Sequence, residues 1–220
     1  MPGTLALVGG AEWRTGCDFD RDLLAASGGQ EVLVVPTAAA YEHPQRSVTD
    51  AERWFAELGA TVTSLDVLTR RDALDEANVA PIRDARFIYL SGGSPMHLRS
   101  VLKDSPVWDA VLDAWQDGAV LAGSAAGAMV LGDPMVDPRG GAFTLGLGLI
   151  EQLAVIPQHD TWSEDKAKRT LRIAPKGMPV VGIDERTALI RHPDGSWSAA
   201  GAGRVVVYVD GTEADISVLP

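Results

Sequence analysis

The 220-residue sequence has a single cysteine, Cys17. No internal disulfide can form, and no cysteine-rich metal centre is available. His43, His97 and His192 show no His-x-His or His-x-x-x-His spacing and have no cysteine nearby. No metal site and no cofactor are therefore expected. Long apolar runs are also missing: none approaches the roughly 20 residues that span a bilayer. The start, Met1-Pro2-Gly3-Thr4-Leu5, lacks the basic region and long apolar stretch of a signal peptide. A cytoplasmic location with no membrane partner is the expectation. Basic charge is scarce, with 19 Lys and Arg against 30 Asp and Glu and a net charge of -11. That balance argues against nucleic acid and anionic membrane as partners, although a local pocket can carry either sign. Repeats, low-complexity tracts and linker-like segments are absent too. One domain over 1–220 is expected.

What is present is a soluble globular composition, 46% hydrophobic and 22% charged. Leu5 to Val8, Glu31 to Val35, Phe87 to Leu90 and Val120 to Ala122 are apolar runs closed by Gly or Pro. Continuous runs of this kind suit a parallel sheet covered on both faces, and Thr61 to Val67 alternates as a further strand. Helical stretches are read at Phe19 to Ala26, Pro44 to Leu58, Asp75 to Asp84, Val107 to Gln116, Ala126 to Leu131 and Glu164 to Leu171. Pro81 should disturb the third of these. Residues 132–150 read as loop. Val155 to Pro157 and Val180 to Ile183 read as strands. Residues 188–190, 197–199 and 205–209 read as a closing antiparallel set. The fold class is a doubly wound, mostly parallel, flavodoxin-like α/β sheet with a C-terminal antiparallel extension. In such folds sites form at the carboxyl ends of the strands. The pairs Gly9-Gly10 and Gly92-Gly93 and the stretch Gly123-Ser124-Ala125-Ala126-Gly127 all lie at such ends.

That last stretch has the frame of a nucleophile elbow, Gly-x-Ser-x-Gly, in which glycines relieve crowding around a strained central residue. The residue at its centre is Ala125. In its own frame Ser124 has Ala122 and Ala126 where the glycines belong. Its side chain should point away from a base that serves position 125, which leaves it as a small residue hydrogen-bonded near the turn.

Together these residues resemble the dipeptidase E and cyanophycinase family of serine peptidases. Gly123 to Ala128 is similar to the family's Gly-(Thr/Ser)-Ser-Ala-Gly-Ala. Gly92-Gly93 with Leu98, Val34 to Ala38, and Gly182-Ile183-Asp184-Glu185 with Thr187-Ala188 match further family segments in order. The resemblance implies a class I glutamine amidotransferase-like fold, a Ser-His-carboxylate triad and an oxyanion hole of backbone N–H groups. By position Ala125 stands for the serine, Glu185 for the carboxylate, and Gly93 and Ala126 supply the oxyanion donors.

The base has two readings, because the segment is Ile156-Pro157-Gln158-His159-Asp160. With Gln-His in register, His159 is the base. With Pro and Asp in register, Gln158 takes the base position and two triad members are missing. The first is preferred because His159 is the only imidazole there. Arg169 and Arg172, three apart on one helix, are candidates to bind a substrate carboxylate, and Trp162 is a candidate pocket wall. Glu12 is a weaker pocket candidate, and Asp160 a candidate cap for the helix near Ser163.

Three functions follow: a serine peptidase for small, aspartyl peptides disabled at Ala125, a naturally inactive protein that keeps the pocket for a peptide or small ligand, or an amidotransferase-like enzyme. The third is weakened because Cys17 lies far from the elbow in sequence. A homodimer is compatible with this fold class.

Overall fold

The computed structural model describes residues 1–220. The chain begins with β1 (Leu5–Val8), α1 (Phe19–Ser27), β2 (Glu31–Val35), α2 (Pro44–Glu57) and β3 (Thr61–Ser64). It continues with α3 (Arg70–Ala73), α4 (Ala80–Asp84), β4 (Phe87–Leu90), α5 (Pro95–Leu102), α6 (Pro106–Gln116), β5 (Val120–Ser124) and α7 (Ala126–Leu131). The central sheet runs β13-β12-β1-β5-β4-β2-β3, where β12 is Thr187–Arg191 and β13 is Trp197–Gly201. Strands β1 to β5 are mutually parallel; β12 and β13 add an antiparallel edge.

The apolar runs are continuous because both faces are covered. In β1, Ala6 and Val8 face a cluster built with α1 and α2 that includes Phe19, Leu23, Trp54 and Phe55. Leu5 and Leu7 face the larger cluster on the other side, with Leu98 of α5, Val107 and Val111 of α6, and Val130 of α7. Burial on both faces removes the period-two signal and leaves unbroken hydrophobic stretches.

A second, smaller sheet has the order β10-β11-β14-β15, formed by Ala154–Pro157, Val180–Ile183, Val205–Val209 and Thr212–Ala214. It corrects the reading of 205–209. That strand does not close an antiparallel set with 188–190 and 197–199; it pairs antiparallel with β11 through Val181↔Val207. The turn at Ala202-Gly203-Arg204 carries the chain off the central sheet, and the Arg204 C=O accepts the Asp184 N–H (3.0 Å).

Three local expectations also change. Residues 75–84 are a 3-10 turn, Glu76–Asn78, followed by α4. Pro81 lies in the first turn of α4, where its missing N–H costs nothing, so it starts that helix instead of ending one. Helix α5 lies where the sequence reading places no helix; Ser94 caps it by accepting the His97 N–H (3.3 Å), with Pro95 in its first turn. Segment 132–150 contains two short ladders, β6 (Gly132–Asp133) with β9 (Ile150–Glu151), and β7 (Met135–Val136) with β8 (Phe143–Thr144). Helix α8 (Glu164–Arg172) packs beside that segment, with Thr170 Oγ1 accepting the Gly141 N–H. No helix is long and apolar enough to cross a membrane.

Strand order then decides where the chemistry collects. β5 lies between β1 and β4, so the elbow is flanked by Gly9-Gly10 and Gly92-Gly93. β10 and β11 are parallel, with Pro157 opposite Ile183. Residues 158 and 184–185 therefore leave one edge of the second sheet side by side.

Candidate active site

The elbow is built by close backbone packing. A Cβ on Gly123 would lie 2.6 Å from the Gly127 carbonyl, and one on Gly127 would lie 2.5 Å from Leu90 O. Side chains at either position would drive β5 and α7 apart. Between them Ala125 has φ 46° and ψ −102°, a conformation that L-residues rarely adopt. Its N–H donates to Val8 O and its C=O accepts the Met129 N–H, each 2.9 Å. These bonds tie the turn to β1 and to α7.

Two backbone N–H groups in the neighbouring loops stand out. Ala126 is the first residue of α7, so its N–H has no intrahelical acceptor. The Gly93 N–H makes no hydrogen bond within the chain, while its neighbours are engaged: Gly92 N–H with Glu12 Oε1 (3.0 Å) and Ser94 N–H with Ala38 O (2.8 Å). Gly93 is at φ 136° and packs against the Ala38 backbone. The N–H groups of Gly93 and Ala126 thus have no acceptor within the chain.

The structure places Gln158 and His159 in different surroundings. Gln158, in the left-handed region at φ 50° and ψ 39°, is the side chain on the Ala125 side. A Cβ on Gly10 would lie 3.0 Å from Gln158 Cγ and 3.6 Å from Ala125 Cβ, so both groups are close to that glycine. Gln158 Nε2 donates to Glu185 Oε1 (3.1 Å). Its backbone N–H donates to Gly9 O (2.7 Å).

His159 faces elsewhere. Its ring lies against Gly182, where a Cβ would come within 2.5 Å of Cδ2. Nδ1 is 3.6 Å from Asp184 Oδ1 and Nε2 is 3.3 Å from Tyr208 Oη. The left-handed turn at 158 swings the following residue to the opposite side, so adjacent residues serve different surroundings.

Asp160 does not cap α8; Ser163 does, accepting the Lys166 N–H (3.3 Å). Asp160 Oδ1 accepts the Glu185 N–H (3.0 Å) and so fixes the carboxylate's backbone. Arg169 and Arg172 are exposed on α8 and line no part of the cleft beside Gln158 and Glu185. Trp162 is half-buried under Lys166, whose Nζ is 3.6 Å from the ring centre, and does not line that cleft either. α8 packs beside segment 132–150.

Glu12 ties the elbow to the neighbouring strand ends. Besides the Gly92 N–H, it accepts a hydrogen bond from Ser124 Oγ at 2.8 Å. Ser124 is thus fully buried and engaged, the role expected of a small residue at the turn. Glu12 and Gln158, with Arg14, Asp50 and Glu185, line a cleft of about 330 Å3. No short motif marks Glu12; only its position two residues after Gly9-Gly10 hinted at it. Cys17 is buried, and burial pushes its thiol up to about 11, which is unsuited to a nucleophile.

Several known proteins are similar to this chain. Residues 5–196 match the model of peptidase family S51. A cyanophycinase of Nostoc sp. is 28% identical over 220 residues, covering 94% of this chain and 73% of that protein. An uncharacterised peptidase of Listeria innocua is 31% identical over 102 residues, 46% of this chain and 47% of that one. The crystal structure of a peptidase from an acI-B1 Actinobacterium superposes with a TM-score of 0.87 at 33% identity, covering 97% of this chain and 93% of its own. A putative peptidase E from Listeria monocytogenes, at TM-score 0.68 and 17% identity over 95% of this chain and 99% of its own, shares the fold. The strained turn, its free donors and the carboxylate at 185 sit inside the matched span, and the chain belongs to peptidase family S51, the serine-type family of dipeptidase E-like and cyanophycinase-like proteins.

Proposed function

We propose that this chain uses a peptidase S51 site to bind a small peptide or peptide-like ligand without hydrolysing it. The observation that carries this reading is the hydrogen bond from Gln158 to Glu185, on the Ala125 side of the turn. Acyl transfer by this family needs a hydroxyl and a base to take its proton. Ala125 has no hydroxyl, and a glutamine amide does not accept a proton near neutral pH. Two of the three triad roles are therefore unfilled, while the carboxylate and the two backbone donors remain. Loss of a triad leaves only the ~10³-fold advantage over water that binding and an oxyanion hole supply.

A second reading is a working serine peptidase for small, aspartyl peptides disabled by one Ser→Ala change. The retained strain at Ala125 favours it, since that turn serves to present a side chain. Gln158 speaks against it, because a single change would have left a histidine there.

Reconstruction separates the two. Hydrolysis of a dipeptide panel is measured for the wild type, Ala125→Ser, and Ala125→Ser combined with Gln158→His. The binding reading expects negligible turnover for the first two and recovered turnover for the double variant. Turnover by Ala125→Ser alone would overturn it, since a base would then already be in place.

A further inference from the structure

We propose that His159 is a positioning residue: its protonation braces the two strand-end turns that carry Gln158 and Glu185, so that pH sets how firmly this pair is held. This holds whichever ligand the site takes.

Strands β10 and β11 are parallel and end side by side, with Pro157 opposite Ile183. His159 directly follows Gln158, and Asp184 directly precedes Glu185. The two turns are therefore tied three times. Gln158 Nε2 donates to Glu185 Oε1 (3.1 Å), the Glu185 N–H donates to Asp160 Oδ1 (3.0 Å), and His159 Nδ1 lies 3.6 Å from Asp184 Oδ1. Only the last tie contains an imidazole, the side chain whose charge ordinarily changes between about pH 5 and 8. The side chains of His159 and Asp184 are 18% and 15% exposed, so the pair is partly screened while protons still reach it.

Both partners are seated. A Cβ on Gly182 would lie 2.5 Å from Cδ2 and 2.6 Å from Cγ of the imidazole, so glycine at that place in β11 makes the room the ring occupies. Asp184 is fixed by its other oxygen, Oδ2, which accepts the Arg204 N–H (2.8 Å). From β14, Tyr208 Oη is 3.3 Å from Nε2. Burial, and after it Glu213, push the Tyr208 hydroxyl above its usual 10.0, so it stays neutral. The charged groups of the elements around the ring are Asp184 and Glu185 on the facing turn, Arg204 before β14, Glu213 on β15 and Asp160 on its own turn; β11 contributes none. The Asp184 carboxylate favours the neutral tautomer with hydrogen on Nδ1, which leaves Nε2 to accept the Tyr208 hydroxyl. When Nε2 takes a proton, both nitrogens donate and the tyrosine oxygen becomes the acceptor. The hydroxyl is satisfied in either state. Only the charged ring adds a Coulomb attraction that draws the turn of Gln158 toward that of Glu185.

Nitrogen-15 relaxation of the labelled full chain between about pH 5 and 8 tests this, with the Gln158 side-chain amide as reporter. Its order parameter is expected to fall as the His159 ring, followed by its own resonances, loses its proton. Asp184→Asn and Gly182→Ala, checked for folding by thermal melts, are each expected to flatten that response. The first removes the charge partner and the second the seat of the ring. Tyr208→Phe keeps both partners of the brace and is expected to retain the response; its loss there would move control to the hydroxyl and overturn the proposal. In the wild type alone, Gln158 order that does not follow the His159 titration would also overturn it. So would a response that persists in Asp184→Asn, which would be the local effect of a charged neighbour, or in His159→Gln, which would have another source. No ligand enters these measurements, so their failure leaves the binding reading untouched.

Discussion

Ala125 holds a conformation that its own side chain does not need. At φ 46° and ψ −102° the backbone stores strain of about 1–3 kcal/mol, normally offset by the use made of an exposed nucleophile. Glycine occupies that region without a Cβ penalty, and its greater freedom in the unfolded chain costs about 0.5–1 kcal/mol. Ala125→Gly is therefore expected to be stabilising by up to about 1 kcal/mol in urea denaturation, with no loss of ligand affinity. A clear loss of stability would mean that the turn is held by its Cβ contacts near Gly10 and Gly92 instead. The seat at 125 was legible in the sequence because the two glycines that frame it are fixed by backbone contact. The base was not. Gln158 and His159 are adjacent, both fit a family pattern, and the local sequence does not encode the left-handed φ at 158 that turns one toward Glu185 and the other toward Tyr208.

At the scale of elements, the elbow works only if α7 leaves β5 at once and packs on β4. Gly127 marks that contact. A methyl group there meets Leu90 O at 2.5 Å, a backbone atom that cannot step aside. Gly127→Ala should cost about 1–3 kcal/mol or more, as overpacking of a rigid interior does. It should also lower ligand affinity, because the Ala126 N–H moves with α7. Urea unfolding alongside calorimetric binding checks both, and unchanged affinity in a destabilised variant would separate the oxyanion donors from the ligand. The central strands were legible because burial on both faces leaves long apolar runs. The second sheet was not, because a run such as Val205–Val209 shows that a strand exists and leaves its partner open. That choice is made by the turn after β13 and by the bond between Asp184 N–H and Arg204 O, groups distant in the sequence. It matters for the site, since β10 and β11 of that sheet deliver Gln158 and Glu185.

For the molecule as a whole, one electrostatic cost lies away from the cleft, in a buried carboxyl of α1. Asp20 of α1 is fully buried among Trp13, Cys17, Trp54 and Tyr89, the neighbours that pack the α1–α2 face of the sheet. Its Oδ2 accepts the Trp54 Nε1–H (2.9 Å), while Oδ1 is buried without a partner, as are Trp13 Nε1 and Tyr89 Oη. Burial raises the Asp20 carboxyl well above its usual 3.8, against the lowering effect of the Trp54 bond, and Glu12 pushes the same way as burial. The folded chain therefore binds this proton more tightly than the unfolded chain does. Above the unfolded value, stability falls as pH rises, until the folded group also ionises. Each tenfold preference for the protonated form costs about 1.4 kcal/mol, and each 1 kcal/mol moves the melting temperature by about 2–4 °C in a chain of this size. Asp20→Asn keeps a neutral acceptor for Trp54 and removes the titration. The variant and the wild type should melt together near pH 4 and separate progressively toward pH 8, with the variant the more stable. The thiol of Cys17, raised from 9.0 to about 11, adds a further loss between those two values that the variant retains. Parallel melting curves across pH 4 to 8 would show that Asp20 is charged in the folded state and that a cation or solvent reaches it.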